Sequence, residues 1–136
     1  MESKEKGWKT GQKGESLKEQ HREKVYKIVE DVAWKTHPVF EKIRMKVLLS
    51  QRDDQTDYTV FIGNTPKREM VPEHIHENSD DLLYPLSGKA KLWIEGLGDF
   101  ELRKGVIARV PKGVLHKVYN VSEDFYALDV FVPAVL

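Results

Sequence analysis

The residues best suited to chemistry here are three histidines and one aspartate. His74 and His76 stand in the run Pro72-Glu73-His74-Ile75-His76. Side chains two apart on a strand point to the same face. Two such imidazoles, about 6–7 Å apart at the backbone, can converge on one ion while Ile75 faces a different layer. Asp81 follows across a turn made by Glu77 to Asp80, and a hairpin there returns it beside His76. His116 comes much later, after the turn Pro111-Lys112-Gly113, and reaches the same point from another strand if the sheet closes. Taken singly, each has an ordinary structural use: a hydrogen-bonded histidine pair, a turn aspartate, a surface or core histidine. The chain has no Cys, so any metal must sit on imidazole and oxygen donors.

These side chains need strands to carry them. From about residue 42 the chain reads as all-β. Ile43, Met45, Val47 and Leu49 alternate with Arg44 and Lys46, and DYTVFI at 57–62 is rich in β-branched and aromatic residues. Short runs follow: EMVPEHIH, DLLYPL, KAKLWIE, DFELR, VIARV, KVYNV and FYALDVFV. Turn signals separate them at Gly63-Asn64, Asn78-Ser79, Ser87-Gly88, Gly96-Leu97-Gly98, Lys104-Gly105 and Pro111-Lys112-Gly113. Many short strands at this spacing mean a sandwich or a barrel. Residues 1–24 differ: seven Lys/Arg against five Glu and few bulky apolar residues predict a flexible charged tail ahead of one domain at 25–136. A short strand is expected near 25–30, with a helix before it possible, and His37-Pro38 breaks that pattern.

The whole chain has 136 residues, with 22 Lys+Arg balancing 22 Asp+Glu. That length suits one domain with a real core. Zero net charge argues against nucleic-acid binding through bulk charge. No Cys means no disulfide and no thiolate nucleophile. No apolar run approaches the roughly 20 residues of a membrane helix, and no hydrophobic leader stands at the N-terminus, so a cytoplasmic location is expected.

Two stretches resemble a known family. His74 to Gly88 is similar to the first motif of the cupin superfamily, H-x-H-x(3,4)-E-x6-G, with Asp81 standing where the family usually has Glu. Gly105 to Asn120 resembles the second, G-x5-P-x-G-x2-H-x3-N, at every fixed position: Gly105, Pro111, Gly113, His116 and Asn120. The resemblance covers roughly residues 40–132. It implies a small double-stranded β-helix, or jelly-roll barrel, holding one divalent transition metal (Fe, Mn, Ni, Zn or Cu) on His74, His76, Asp81 and His116. Asp is a methylene shorter than Glu, so Asp81 can also act at longer range or through water. Glycines at 88 and 105 suit tight turns, Pro111 and Gly113 aim His116 inward, and Asn120 is suited to tie down a nearby loop.

Cupins include dioxygenases, decarboxylases, isomerases, lyases and binders without activity, and fold alone does not choose among them. The ligand set and apolar surroundings favour dioxygenase-type chemistry on a small organic acid or enol. The alternatives are a small-molecule binder or sensor and a sugar-acid isomerase or lyase. An enzyme should show a lumen acid or base besides the ligands; a sugar-acid enzyme should show an inward Lys or Arg. Strand alternation puts Met70 and Pro72 on the face of the two histidines, Leu83 and Pro85 on that of Asp81, and Tyr84 away. Asp129 reads as a solvated edge residue or a pocket residue, Arg109 as a surface residue or an anion anchor. His21 and His37 carry no spacing that links them to the site and read as structural or surface residues. Trp93 alternates outward and suggests a subunit contact; the resemblance implies a homodimer, with residues 25–30 adding a strand to the partner.

Overall fold

A computed structural model describes residues 6–136, and the first five residues of the expected tail lie outside it. Residues 6–20 are exposed throughout. Helix α1 (Arg22–Val25) and a 3-10 turn at Val29–Asp31 precede the first strand, β1 (Lys35–Thr36). No strand forms at 25–30. The segment is tied to the barrel by lysine amines instead of ladder hydrogen bonds: Lys27 Nζ donates to the Leu48 carbonyl at 2.6 Å and Lys46 Nζ donates to the Val29 carbonyl at 2.9 Å. It therefore lies against its own barrel.

The sheet is built from β1, β2 (Arg44–Leu49), β3 (Thr59–Thr65), β4 (Val71–His74), β5 (Asp80–Ile94), β6 (Gly98–Leu102), β7 (Ala108–Val110) and β8 (His116–Val132), with helix α2 (Gln51–Asp54) between β2 and β3. The order is β1-β2-β3-β8-β5-β6, with β4 on β8 and β7 on β5. All pairings are antiparallel. Strands β5 and β8 are long enough to serve both layers. The first part of β5 pairs with β7 and the last part of β8, while its second part pairs with β6 and the first part of β8. Two shared, bent strands make the fold a double-stranded β-helix.

The bends explain a difference from the sequence reading, which divides each long strand in two. Along β5 the buried positions are Asp81, Leu83 and Pro85, then Ala90, Leu92 and Ile94: the alternation changes phase. Register shifts between Pro85 and Lys91 produce the change. Gly88 sits at the corner with φ +83°, where a Cβ would collide with the Asp124 carbonyl. On β8 the phase changes near Asn120, whose φ is +51°. Asn120 is exposed there and its side chain makes no hydrogen bond among the described residues; what its residue type supplies is tolerance of left-handed backbone. Gly63-Asn64 is not a turn but the interior of β3.

The main core joins Leu83, Ala90, Leu92, Ile94, Leu102, Val110, Val118, Val121, Phe125 and Ala127; a second cluster joins Met45, Phe61 and Phe131. Trp93 lies half-buried on the outer face, beneath the Lys117 ammonium at 5.6 Å from the ring centre. Among the described residues no helix is long and apolar enough to cross a membrane.

Candidate metal centre

Three of the four expected ligands meet closely. One ring nitrogen each from His74, His76 and His116 lies within 4.8 Å of the others. His74 ends β4 and pairs directly with His116 at the start of β8. His76 lies just beyond β4, and its carbonyl accepts a hydrogen bond from Gly113 N–H at 2.7 Å. That bond ties the turn before His116 to the histidine pair. Asp81, only 3% exposed, arrives on β5. Its Oδ2 lies 3.8 Å from His76 Nε2 and 3.7 Å from His116 Nε2.

Backbone carbonyls set the tautomers. His74 Nδ1 lies 2.7 Å from the Pro72 carbonyl and His116 Nδ1 lies 2.9 Å from that of Val114. A carbonyl can only accept, so Nδ1 carries the proton in both rings and Nε2 keeps its lone pair. This is how metal-binding histidines are generally oriented. His76 Nε2, His116 Nε2 and Asp81 Oδ1 are buried with no hydrogen-bond partner among the described residues. Buried polar atoms normally have partners, so these donors fit a cation. Burial, the largest cause, lowers His74 and His76 to about 4, which keeps both rings neutral and able to ligate near pH 7. Burial raises the Asp81 carboxyl above its ordinary value; a bound cation acts in the opposite sense.

Asp80 and Arg109 work outside the cluster. Asp80 accepts from Arg109 Nε at 2.8 Å and from Lys112 N–H at 3.0 Å, clamping β7 and the following turn against β5. Arg109 is thus a surface partner rather than an anion anchor.

The donors open into a cavity of about 60 Å³. Its walls are largely apolar and include Phe40, Ile43, Phe61, Leu83, Phe125 and Phe131, and among the described residues no Lys or Arg lines it. Met70 and Pro72 do not line it; Val71 does. A bulge between Val71 and His74 is the reason, because it puts an odd and an even position on one face. Leu83 lines it as expected, and Tyr84 is exposed.

Two residues given weaker or structural readings also line the cavity. Asp129 pairs with Phe61 on one side and Leu83 on the other, so its side chain shares their inward face. Burial, then the charge of Asp81, raises its carboxyl well above the ordinary range. The run Phe125-x-Ala127-x-Asp129-x-Phe131 carried the signal: Asp129 holds an inward position in an apolar alternation. His37 lines the cavity from the segment between β1 and β2. Nothing in its spacing could have placed it there.

Inward imidazoles in a small double-stranded β-helix define a metal-competent barrel. The chain belongs to the cupin family: the family described as Cupin domain matches residues 61–131. It is similar to an uncharacterized protein of Aquifex aeolicus, at 31% identity over 82% of this chain and 86% of that one. It is similar to quercetin 2,3-dioxygenase of Bacillus subtilis at 24% identity over 65% of this chain, spanning only 26% of that enzyme. Its fold is similar to that of KdgF from Halomonas sp., with a TM-score of 0.66, 21% identity and coverage of 78% and 92%.

Proposed function

We propose that this cupin is an enzyme that uses one divalent transition metal in dioxygenase-type chemistry on a small organic acid or enol. The observation that carries the enzyme reading is the place of Asp129: a carboxyl raised well above its ordinary range, by burial and then by the charge of Asp81, lines the same apolar cavity as the three histidines. A binding module needs no such group, whereas catalysis needs a proton donor or acceptor beside the ligands.

His74, His76 and His116 would hold the ion, with Asp81 as fourth ligand. Two donors each about 2.1 Å from one ion lie roughly 3 to 4.2 Å apart, and the Asp81 separations of 3.8 and 3.7 Å fall inside that span. When bound, the ion would act as a Lewis acid or, if iron, pass electrons to dioxygen. The apolar walls exclude water and select a small, largely apolar substrate. Asp129 holds a proton for an oxygen that gains charge. The similarity to quercetin 2,3-dioxygenase supports the oxidative reading. Asp129 also suits a second reading, proton transfer next to a carbonyl without oxidation. Among the described residues no Lys or Arg lines the cavity, which weighs against a sugar-acid enzyme. A homodimer is part of the proposal, and Leu97, Phe100 and Ile107, exposed by 72, 44 and 70%, are the side chains it would cover.

The test has two stages. In His74→Ala/His76→Ala, metal content should fall to background while circular dichroism keeps the barrel signature; full retention of metal overturns the site. Wild-type protein loaded with Fe(II) should then consume dioxygen with some member of a panel of small enols and 2-oxo acids. Asp129→Asn should slow that uptake by about 10²-fold or more at equal metal content. Deuterium exchange next to the carbonyl without oxygen uptake would select the second reading.

A further inference from the structure

The family match begins at residue 61, yet the cavity is finished by three residues upstream of it: His37, Phe40 and Ile43. They belong to a loop that closes on itself. His37 N–H donates to the Ile43 carbonyl at 2.8 Å, and Ile43 N–H donates to the Phe40 carbonyl at 3.0 Å. Phe40 meets the His74 ring edge-on with centres 5.4 Å apart, and its other side packs on His37 at 4.9 Å. The loop is therefore locked against the metal centre and carries His37 with it.

The chemistry of His37 follows from what holds it. Its Nδ1 accepts from Val39 N–H at 3.0 Å and from Phe40 N–H at 3.2 Å. A nitrogen accepting from backbone amides has a lone pair and no proton, so the proton of the neutral ring sits on Nε2. This is the reverse of His74 and His116, where Nδ1 is the donor and Nε2 is the ligand atom. His37 is thus unlike His74 and His116: it presents an N–H where they present lone pairs. Among the described residues its Nε2 has no hydrogen-bond partner, and the ring lines the cavity.

We propose that His37 is the substrate-recognition donor of this site. Its Nε2–H binds an oxygen acceptor, a carboxylate or carbonyl oxygen, at the end of a small molecule whose other end reaches the histidine cluster. The amide donors on Nδ1 oppose a second proton there, so the ring offers one donor and no acceptor to the cavity. It therefore selects an oxygen acid or oxo compound over a ligand that ends in a methyl or ammonium group. This assignment rests on the metal-centred reading above and names the substrate end that faces away from the ion.

Two variants separate recognition from loop stability. His37→Asn keeps an acceptor near the position of Nδ1, so the loop remains capped, but lacks the reach of Nε2–H. His37→Gln gives up the cap and keeps an N–H near the position of Nε2. The probe is protein loaded with Co(II), whose visible spectrum reports occupancy, titrated with malonate and succinate against propionate and butyrate. Wild-type protein should favour a dicarboxylate over the monocarboxylate of equal chain length by roughly tenfold, the worth of one hydrogen bond to a charged group. His37→Asn should abolish that preference and His37→Gln should restore part of it. An unchanged preference in His37→Asn overturns the proposal. A readout that needs no metal is long-range 15N–1H correlation on the metal-free protein. It should find the His37 proton on Nε2 and a shift of that signal with malonate; a proton on Nδ1 overturns the proposal whatever the metal content. Failure to take up Co(II), with the Nε2 tautomer and the malonate shift intact, sinks the metal reading and leaves His37 as the recognition donor.

Discussion

Histidine and aspartate pull in opposite directions as pH changes. His74 and His76 sit at about 4 in the metal-free barrel, against about 6.5 in an unfolded chain. Between those values the unfolded chain binds more protons, so the stability of these neutral rings is lost as pH falls through that window. Asp129 does the reverse. Its raised carboxyl keeps a proton in the native state that the unfolded chain has released above about pH 4, so its contribution falls as pH rises. The two partly cancel. Asp129→Asn removes the opposing group, and the metal-free variant should gain stability between pH 4 and 6.5 more steeply than wild type, by up to about 1.4 kcal/mol per pH unit. Urea denaturation at several pH values reads this directly; equal slopes would mean that Asp129 is not protonated there. At this scale the histidine cluster was legible because its motif fixes residue type and spacing together. Asp129 was half legible, from its inward place in β8. His37 was hidden, because only the closed loop of 37–43 brings it to the cavity.

Elements were read less well than residues, for one physical cause. Alternation announces a strand, but a bulge resets its phase, and β4, β5 and β8 all have one. In β4 the reset exchanged Met70 and Pro72 for Val71 at the cavity wall. In β5 and β8 it made one strand look like two. The corner at Gly88 shows how strictly such a reset is built. An alanine there needs left-handed backbone and drives its Cβ into the Asp124 carbonyl. Gly88→Ala should cost about 3 kcal/mol or more. Gly113→Ala, with φ +76° but open space around it, should cost nearer 1 kcal/mol. Thermal melts of the two variants check the contrast, and equal losses would mean that the close approach to Asp124 contributes nothing. The missing strand at 25–30 has a different cause: Val25, Tyr26 and Ile28 suit a strand by type, but they remain exposed while lysine amines hold the segment.

For the molecule as a whole, the barrel was legible because two spaced motifs and a run of short β segments all required a closed sheet. Balanced charge said little about what the chain does. What the closed sheet adds is a penalty at its own centre. His76 Nε2, His116 Nε2 and Asp81 Oδ1 have no partner among the described residues, and each such buried atom costs about 1–3 kcal/mol. A cation that satisfies all three relieves that cost only in the native state, so its binding is linked to folding. Stripping the ion with a strong chelator should lower the melting temperature of wild-type protein, while His74→Ala/His76→Ala should melt at one temperature with or without the chelator. Calorimetry in the two conditions decides it, and no shift in wild type would detach the cluster from any cation. A cell short of that ion would then hold a softer, more protease-sensitive population of this protein, so that its abundance, as well as its activity, would follow the ion's supply.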